Sequence, residues 1–182
     1  MKTPDWRVTA SSYVIDTPYL RLRKDTIVLP DGTVIDDYFV RESRGYVIIF
    51  AIDGAGRVVL VRQYKHGIGK VLVELPAGAI DDGETPLQTA ERELAEETGY
   101  VADTLEAVGS FVTEPTNATS MAHLFLARGA RRTREQQLDV TEAIDVELVP
   151  VGDVHALIAN GTIDCLPHIA SIYMILDRFG LS

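Results

Sequence analysis

An α/β sandwich built on a mixed sheet is the architecture this sequence encodes, and three observations carry that reading. Strongly apolar runs of β type, YVIIFAI and RVVLVRQY, stand on either side of a DGAG turn. A helix with well-marked ends follows them. Three more strand-like runs and two closing helices complete the chain. Strands and helices mixed in that order pack as layers around one core.

Each element has a local reason. Residues 1–45 read as strands with turns: YLRLR alternates, and TIVLPDGTVIDDYFV carries Pro30, Asp31 and Gly32 as a turn between two β-rich runs. SRG punctuates before the next strand. This segment holds little apolar material, so it is expected to pair with something else as a β extension (1–45) beside a main domain (46–182). From Tyr46 the two apolar runs predict a buried hairpin. VLVELPAG predicts another strand, ended by Pro76 and Gly78. EAVGSFV, AHLFLAR and IDVELVPV predict three more. The first closing helix is expected to begin near Asp153, an N-cap residue, and to stop at Gly161. The second places Ile169, Ile172, Tyr173 and Leu176 at i, i+3, i+4 and i+7, an amphipathic face turned to the core.

Composition narrows the function classes. The 182 residues hold 17 Lys and Arg against 27 Asp and Glu, a net charge of −10. Such a balance disfavours nonspecific binding to nucleic acid or to an anionic membrane, and an anionic substrate would need local basic groups or a cation. A single cysteine, Cys165, leaves no internal disulfide and suits a reducing, cytoplasmic location; it reads as a packed or surface thiol rather than a nucleophile. MKTPDWRVTA has no apolar core of signal-peptide type, and no run approaches a membrane span.

The long helix is unusual in its charge. ERELAEETG, residues 91–99, puts four carboxylates into nine residues with Arg92 alone to offset them. Like charges three or four apart on a helix cost roughly 0.2–0.5 kcal/mol a pair. Thr85 as N-cap, Pro86 at the first position, Gln88 for a capping box and Gly99 as the stop mark its ends. Leu87, Ala90 and Leu94 define the stripe expected to be buried, and Glu93, Glu96 and Glu97 fall in an adjacent sector about 100° wide. A solvated face is the plain reading of such glutamates. Two features favour a cation cage: a compact approach, LPAGAIDDGE with Gly78 and Gly83, and the preference of hard divalent cations for carboxylate and carbonyl oxygens.

The run GAIDDGETPLQTAERELAEETGY, residues 78–100, resembles the Nudix box in full: Gly, five residues, Glu, seven residues, Arg-Glu, an aliphatic, any residue, Glu-Glu, any residue, Gly and a hydrophobic. The resemblance implies a Nudix-type α/β/α sandwich that hydrolyses nucleoside diphosphates linked to another moiety, using Mg²⁺ or Mn²⁺. Glu93 and Glu97 then become the principal metal ligands, with Glu96 a further ligand or the group that activates water. Ala77 contributes its carbonyl, Glu84 supports the site, and Arg92 joins the catalytic set by orienting a glutamate. Glu91, outside the sector, is expected to be solvated.

Other runs narrow the branch. VLVRQYKHGIGKVLVELPAG, PYLRLRKDTIVLPDG, HLFLAR and LDVTEAIDVELVPV resemble the ADP-ribose pyrophosphatase branch, whose members also cleave other nucleoside diphosphate sugars. In that branch Pro115 stands where ADP-ribose preference is associated; plain turn geometry is its other reading. Lys65 replaces the Arg of many relatives and offers a point charge instead of a bidentate fork. Arg62 and Lys65 are candidates for holding phosphate, or are strand-end charges in solvent. LDVTE keeps Glu142, as metal ligand, base or helper, but has Val140 where some relatives carry a second acid. Glu96 or Glu142 would take the proton of the attacking water. Tyr13, Tyr19, Tyr38 and Phe39 all remain candidates to stack on the base.

The expected function is therefore Mg²⁺-dependent cleavage of the pyrophosphate of ADP-ribose or a related nucleoside diphosphate sugar, giving a nucleoside monophosphate and a sugar phosphate. The resemblance further implies a homodimer, in which the N-terminal strands pair across a two-fold axis. A GDP-mannose-type sugar nucleotide hydrolase is the alternative within the enzyme class. A non-catalytic ADP-ribose-binding Nudix regulator is the lesser one, because such sensors tend to lose box carboxylates and here the box is complete.

Overall fold

The computed structural model describes residues 5–181. Its described residues divide into two compact units, one formed by the N-terminal residues through Gly45 with Val112–Met121, the other by Tyr46–Phe111 with the remainder of the chain.

The first unit is a three-stranded antiparallel sheet in the order β1 (Arg7–Asp16), β2 (Arg21–Val28), β3 (Val34–Glu42). Pro30, Asp31 and Gly32 do form the β2–β3 turn, with the Gly32 N–H donating to Leu29 O at 2.9 Å and Gly32 at φ +88°. All ten residues of β1 are exposed, and Asp25 and Ile27 are the buried side chains of β2. The segment 112–121 is tied to β3: the Tyr38 hydroxyl donates to Thr116 O at 2.6 Å, and the Arg41 N–H donates to Asn117 O at 2.8 Å.

The second unit is a three-layer α/β/α sandwich. Its eight-stranded sheet runs β11 (Ile144–Pro150), β5 (Arg57–Lys65), β4 (Tyr46–Asp53), β10 (Met121–Arg132), β8 (Tyr100–Val101). β6 (Lys70–Glu74) is added on β5, β7 (Ala77–Ala79) on β4, and β9 (Thr104–Val112) on β10. β4 and β10 pair parallel, while β8 on β10, β11 on β5, β5 on β4, β7 on β4 and β6 on β5 are antiparallel, so the sheet is mixed as expected.

The unbroken apolarity of YVIIFAI has a direct cause: both faces of β4 are covered. Ile48 and Phe50 pack with Val58, Leu60, Leu124 and Leu126 against α2 (Val154–Ala159) and α3 (Leu166–Phe179), through Val154, Ile172 and Ile175. Val47, Ile49 and Ala51 point the other way, with Val59 and Phe125, against Ala90 and Leu94 of α1 (Pro86–Thr98).

Several expectations are corrected. β4 and β5 pair through only two residue pairs beside the DGAG turn, Ala51 with Val59 and Ile52 with Val58, and then part. β6 continues on β5, and after Leu75 and Pro76 the chain steps across so that Gly78 pairs with Val47 of β4. Pro76 thus ends β6 without ending β structure, and its carbonyl accepts the Ile49 N–H at 2.9 Å. Leu87 is 43% exposed and lies outside the buried stripe, because α1 turns Thr89, Ala90 and Leu94 inward instead. Tyr173 is 48% exposed and its ring lies 5.1 Å from that of His155 rather than in the core. Asp153 makes no side-chain cap, because it closes a 3₁₀ turn, Val151–Asp153, that leads directly into α2.

Candidate active site

The site is assembled on α1 and the strand step before it. The capping box closes as the sequence predicts: the Gln88 N–H donates to Thr85 Oγ1 at 3.3 Å and the Thr85 N–H to Gln88 Oε1 at 2.9 Å. A cap of this kind contributes about 1 kcal/mol. At the other end Gly99 takes φ +74° and its N–H donates to Ala95 O at 2.9 Å, a left-handed stop that favours glycine.

Burial grades the carboxylates. Glu91 is exposed; the side chains of Glu96 and Glu93 are 35% and 12% exposed, and Glu97 is 3% exposed. Gly78 makes room for this: a Cβ on it would stand 2.0 Å from Glu93 Cδ. The β7 backbone therefore lies directly against the Glu93 carboxylate. Beside it, the Ala77 N–H donates to Glu97 Oε2 at 3.0 Å.

Arg92 is the hub of the cluster. Its Nε donates to Glu84 Oε1 at 2.9 Å, one terminal nitrogen donates to Glu93 at 2.8 Å and Glu96 at 3.0 Å, and the other to Glu84 Oε2 at 2.9 Å and Ala79 O at 3.3 Å. The guanidinium and the Thr89 hydroxyl hold Glu84 down at about 2, while Arg92 itself is pushed further up. The repulsion evident in the sequence is thus partly offset within the chain.

Glu97 is left out of that arrangement. Burial pushes its carboxyl up to about 8, and the nearby charge of Glu93 adds to this. Glu93 is also raised, again chiefly by burial, with Arg92 opposing. A buried carboxylate whose hydrogen-bond donor is one backbone N–H, next to a second carboxylate that shares the Arg92 guanidinium, suits a hard divalent cation held by oxygen. The donor set fits such an ion.

The remaining candidates are placed as follows. The Lys65 ammonium lies 3.2 Å from Glu74 and within electrostatic reach of Glu97. Arg62 pairs with Glu147 on β11. Glu142 is half-buried, folded back on its own loop with its carboxylate accepting the Asp139 N–H at 3.0 Å, and its charge is felt at Glu93 and Glu97. Val140 is fully exposed. Pro115 is exposed and belongs to the first unit. There too Tyr38 meets Trp6 edge to face at 5.8 Å, Tyr13 donates to Glu42 at 2.7 Å, Phe39 is 44% exposed and Tyr19 98%.

Sequence reasoning missed Gln136. Its side-chain amide donates to Glu97 O at 2.6 Å and to Ile144 O at 3.0 Å. The Gln137 N–H donates to Glu96 O at 2.9 Å, and those of Thr133 and Arg134 to Gly99 O at 3.0 and 3.3 Å. The carbonyls left open at the end of α1 are thereby satisfied by the segment that leads to Glu142. A Gln in a polar stretch carries no pattern that would have singled it out.

The site's carboxylate helix, glycine approach and arginine hub agree with a direct comparison: the NUDIX domain family matches residues 42–169, and the chain belongs to that family. The part before it is as specific, since the nucleoside diphosphate sugar hydrolase N-terminal domain matches residues 6–40. The chain is 38% identical over 128 residues to the methanol dehydrogenase activator of Bacillus methanolicus, covering 70% of this chain and 69% of that protein. It is 31% identical over 161 residues to an ADP-ribose pyrophosphatase of Bacillus subtilis, covering 88% and 86%. It is 32% identical over 165 residues to one of Mycobacterium tuberculosis, covering 90% and 79%. A crystal structure described as an ADP compounds hydrolase superposes over the full length of both chains with a TM-score of 0.88 at 18% identity, which shows the shared fold. Among the described residues no helix is long and apolar enough to cross a membrane.

Proposed function

We propose that the protein hydrolyses the pyrophosphate of ADP-ribose or a related nucleoside diphosphate sugar, with Mg²⁺ as the cation and Mn²⁺ as a possible substitute. The observation that carries this reading is the buried Glu97 beside Glu93, set against the β7 backbone. Similarity to two ADP-ribose pyrophosphatases along most of the chain supports the substrate class.

In this proposal Glu93, Glu96 and Glu97, with a carbonyl from Ala77, hold the metal. Bound there, a divalent cation supplies charge neutralisation for the diphosphate and water activation near neutral pH. The chain's own residues do the rest. Arg92 fixes the rotamers of Glu84, Glu93 and Glu96. Glu96 or Glu142 takes the proton of the attacking water. Lys65 meets the diphosphate, Arg62 stands by as a second positive charge, and Pro115 shapes the loop that favours ADP-ribose. Residues 1–45 we assign to a homodimer contact, supported by a β1 that is exposed along its whole length. The single cysteine suits the cytoplasm.

A panel of ADP-ribose, other ADP-sugars and GDP-mannose, assayed for monophosphate release with Mg²⁺ and with EDTA, tests the function. ADP-ribose is expected to give the highest kcat/KM and EDTA to abolish turnover. EDTA-insensitive turnover, or no turnover of any member, overturns the reading. The identity to the methanol dehydrogenase activator supports a second role, read by methanol dehydrogenase turnover with and without this chain.

A further inference from the structure

A second buried polar cluster lies in the same unit, on elements the Nudix box does not include. Glu74, at the end of β6, is 4% exposed; His168, in the first turn of α3, is 6% exposed. Cys165 stands just before α3, and ligand-type atoms of all three lie within 4.8 Å of one another. Three such groups invite two obvious readings, a metal site and a thiol nucleophile. The hydrogen bonds argue against both.

His168 Nδ1 accepts the Leu75 N–H at 3.2 Å, so in the neutral ring the proton sits on Nε2. Burial pushes His168 down to about 4, which keeps that ring neutral across the physiological range. Nε2 lies 3.3 Å from Glu74 Oε1 and presents a proton there, leaving no lone pair for a metal and no base for a thiol. Burial and the Glu74 carboxylate lift Cys165 to about 11, so the thiol stays protonated as well. The cluster is a set of donors converging on one carboxylate.

The remaining donor gives the cluster its purpose. Glu74 Oε2 lies 3.2 Å from Lys65 Nζ, at the end of β5. We infer that Glu74, oriented by His168, is a positioning residue that holds the Lys65 ammonium ready for the substrate's diphosphate. This rests on the hydrolase reading and extends it to a chain of contacts running from α3 to the phosphate. An ammonium has three donors; one engages Glu74 and the others stay free for phosphate oxygens. A lysine stem is also flexible, with rotamer entropy to lose on binding. Glu74 removes that freedom in advance.

Steady-state hydrolysis of ADP-ribose by wild type, Lys65→Ala, Glu74→Gln and the double variant tests this. Glu74→Gln is expected to raise KM about tenfold with kcat changed less than about threefold, and to add nothing in the Lys65→Ala background. An equal loss in both backgrounds overturns the proposal, because Glu74 then acts without Lys65. His168→Gln, the milder variant should Glu74→Gln fail to fold, is expected to show a smaller KM rise that also vanishes without Lys65. Calorimetry with inorganic pyrophosphate in magnesium buffer needs no turnover. Affinity weakened about tenfold by Glu74→Gln supports the positioning role, and unchanged affinity overturns it even if ADP-ribose proves not to be the substrate.

Discussion

Replacing Glu97 by glutamine is expected to stabilise the metal-free protein at alkaline pH while removing its response to metal. In the folded chain burial holds this carboxyl up at about 8, against an ordinary 4.5. Between those pH values the unfolded chain gives up its proton and the folded chain keeps it, so stability falls as pH rises through the window. The full difference corresponds to about 5 kcal/mol. Glutamine stays neutral, retains an oxygen for the Ala77 N–H, and carries no such cost. For a chain of this length the gain amounts to a Tm higher by about 10–20 °C in EDTA at about pH 9, shrinking to nothing near pH 4.5, below which both forms are neutral. Scanning calorimetry at both pH values reads it directly. Added Mg²⁺ is expected to raise the Tm of wild type and leave the variant unmoved, with hydrolysis lost in the variant. A variant that melts at or below wild type in EDTA at alkaline pH refutes the view that Glu97 is held at a cost which a cation relieves.

Other substitutions probe the shell around it. Gly78→Ala places a methyl where the Glu93 carboxylate now lies, 2.0 Å from Cδ, and is expected to weaken metal binding about 10–100-fold in a calorimetric titration with little change in Tm. Arg92→Lys keeps the charge but loses the fork that holds three glutamates, so kcat should fall about 10–100-fold; near-normal kcat would show that the guanidinium geometry is dispensable. Gln136→Ala removes both amide bonds and is expected to cost about 1–3 kcal/mol, read as faster amide exchange across residues 137–142.

Where the sequence spoke clearly, it did so through periodicity and local chemistry. Thr85, Pro86, Gln88 and Gly99 bound α1 because caps are decided by a few adjacent residues. The β4 and β5 runs announced buried strands by their unbroken apolarity, though not the hairpin expected of them. What stayed hidden depends on contacts across long sequence distances. Glu74 and His168 are 94 positions apart, and Gln136 reaches back 39 to Glu97. Nothing in VLVELPAG signals that the chain leaves β5 for β4 at Pro76, since either strand would accept the same residues. Leu87 fits the helical stripe by angle, but it sits in the first turn, where no neighbouring element covers it. The spacing of the glutamates was legible; their unequal burial, which separates Glu97 from Glu96, was not.

The acidic loop is fastened to α1 largely through main-chain groups: carbonyls of Glu96, Glu97 and Gly99 receive the amides of residues 133, 134 and 137 and the side chain of Gln136. An attachment of that kind is nearly blind to which side chains the loop itself carries. Residues 138–141 can therefore change identity, as at the fully exposed Val140, without disturbing the helix that bears the carboxylates. The tether keeps Glu142 within electrostatic reach of Glu93 and Glu97 whatever those four neighbours become. Drift along the loop is thus uncoupled from the position of the one acid at its end.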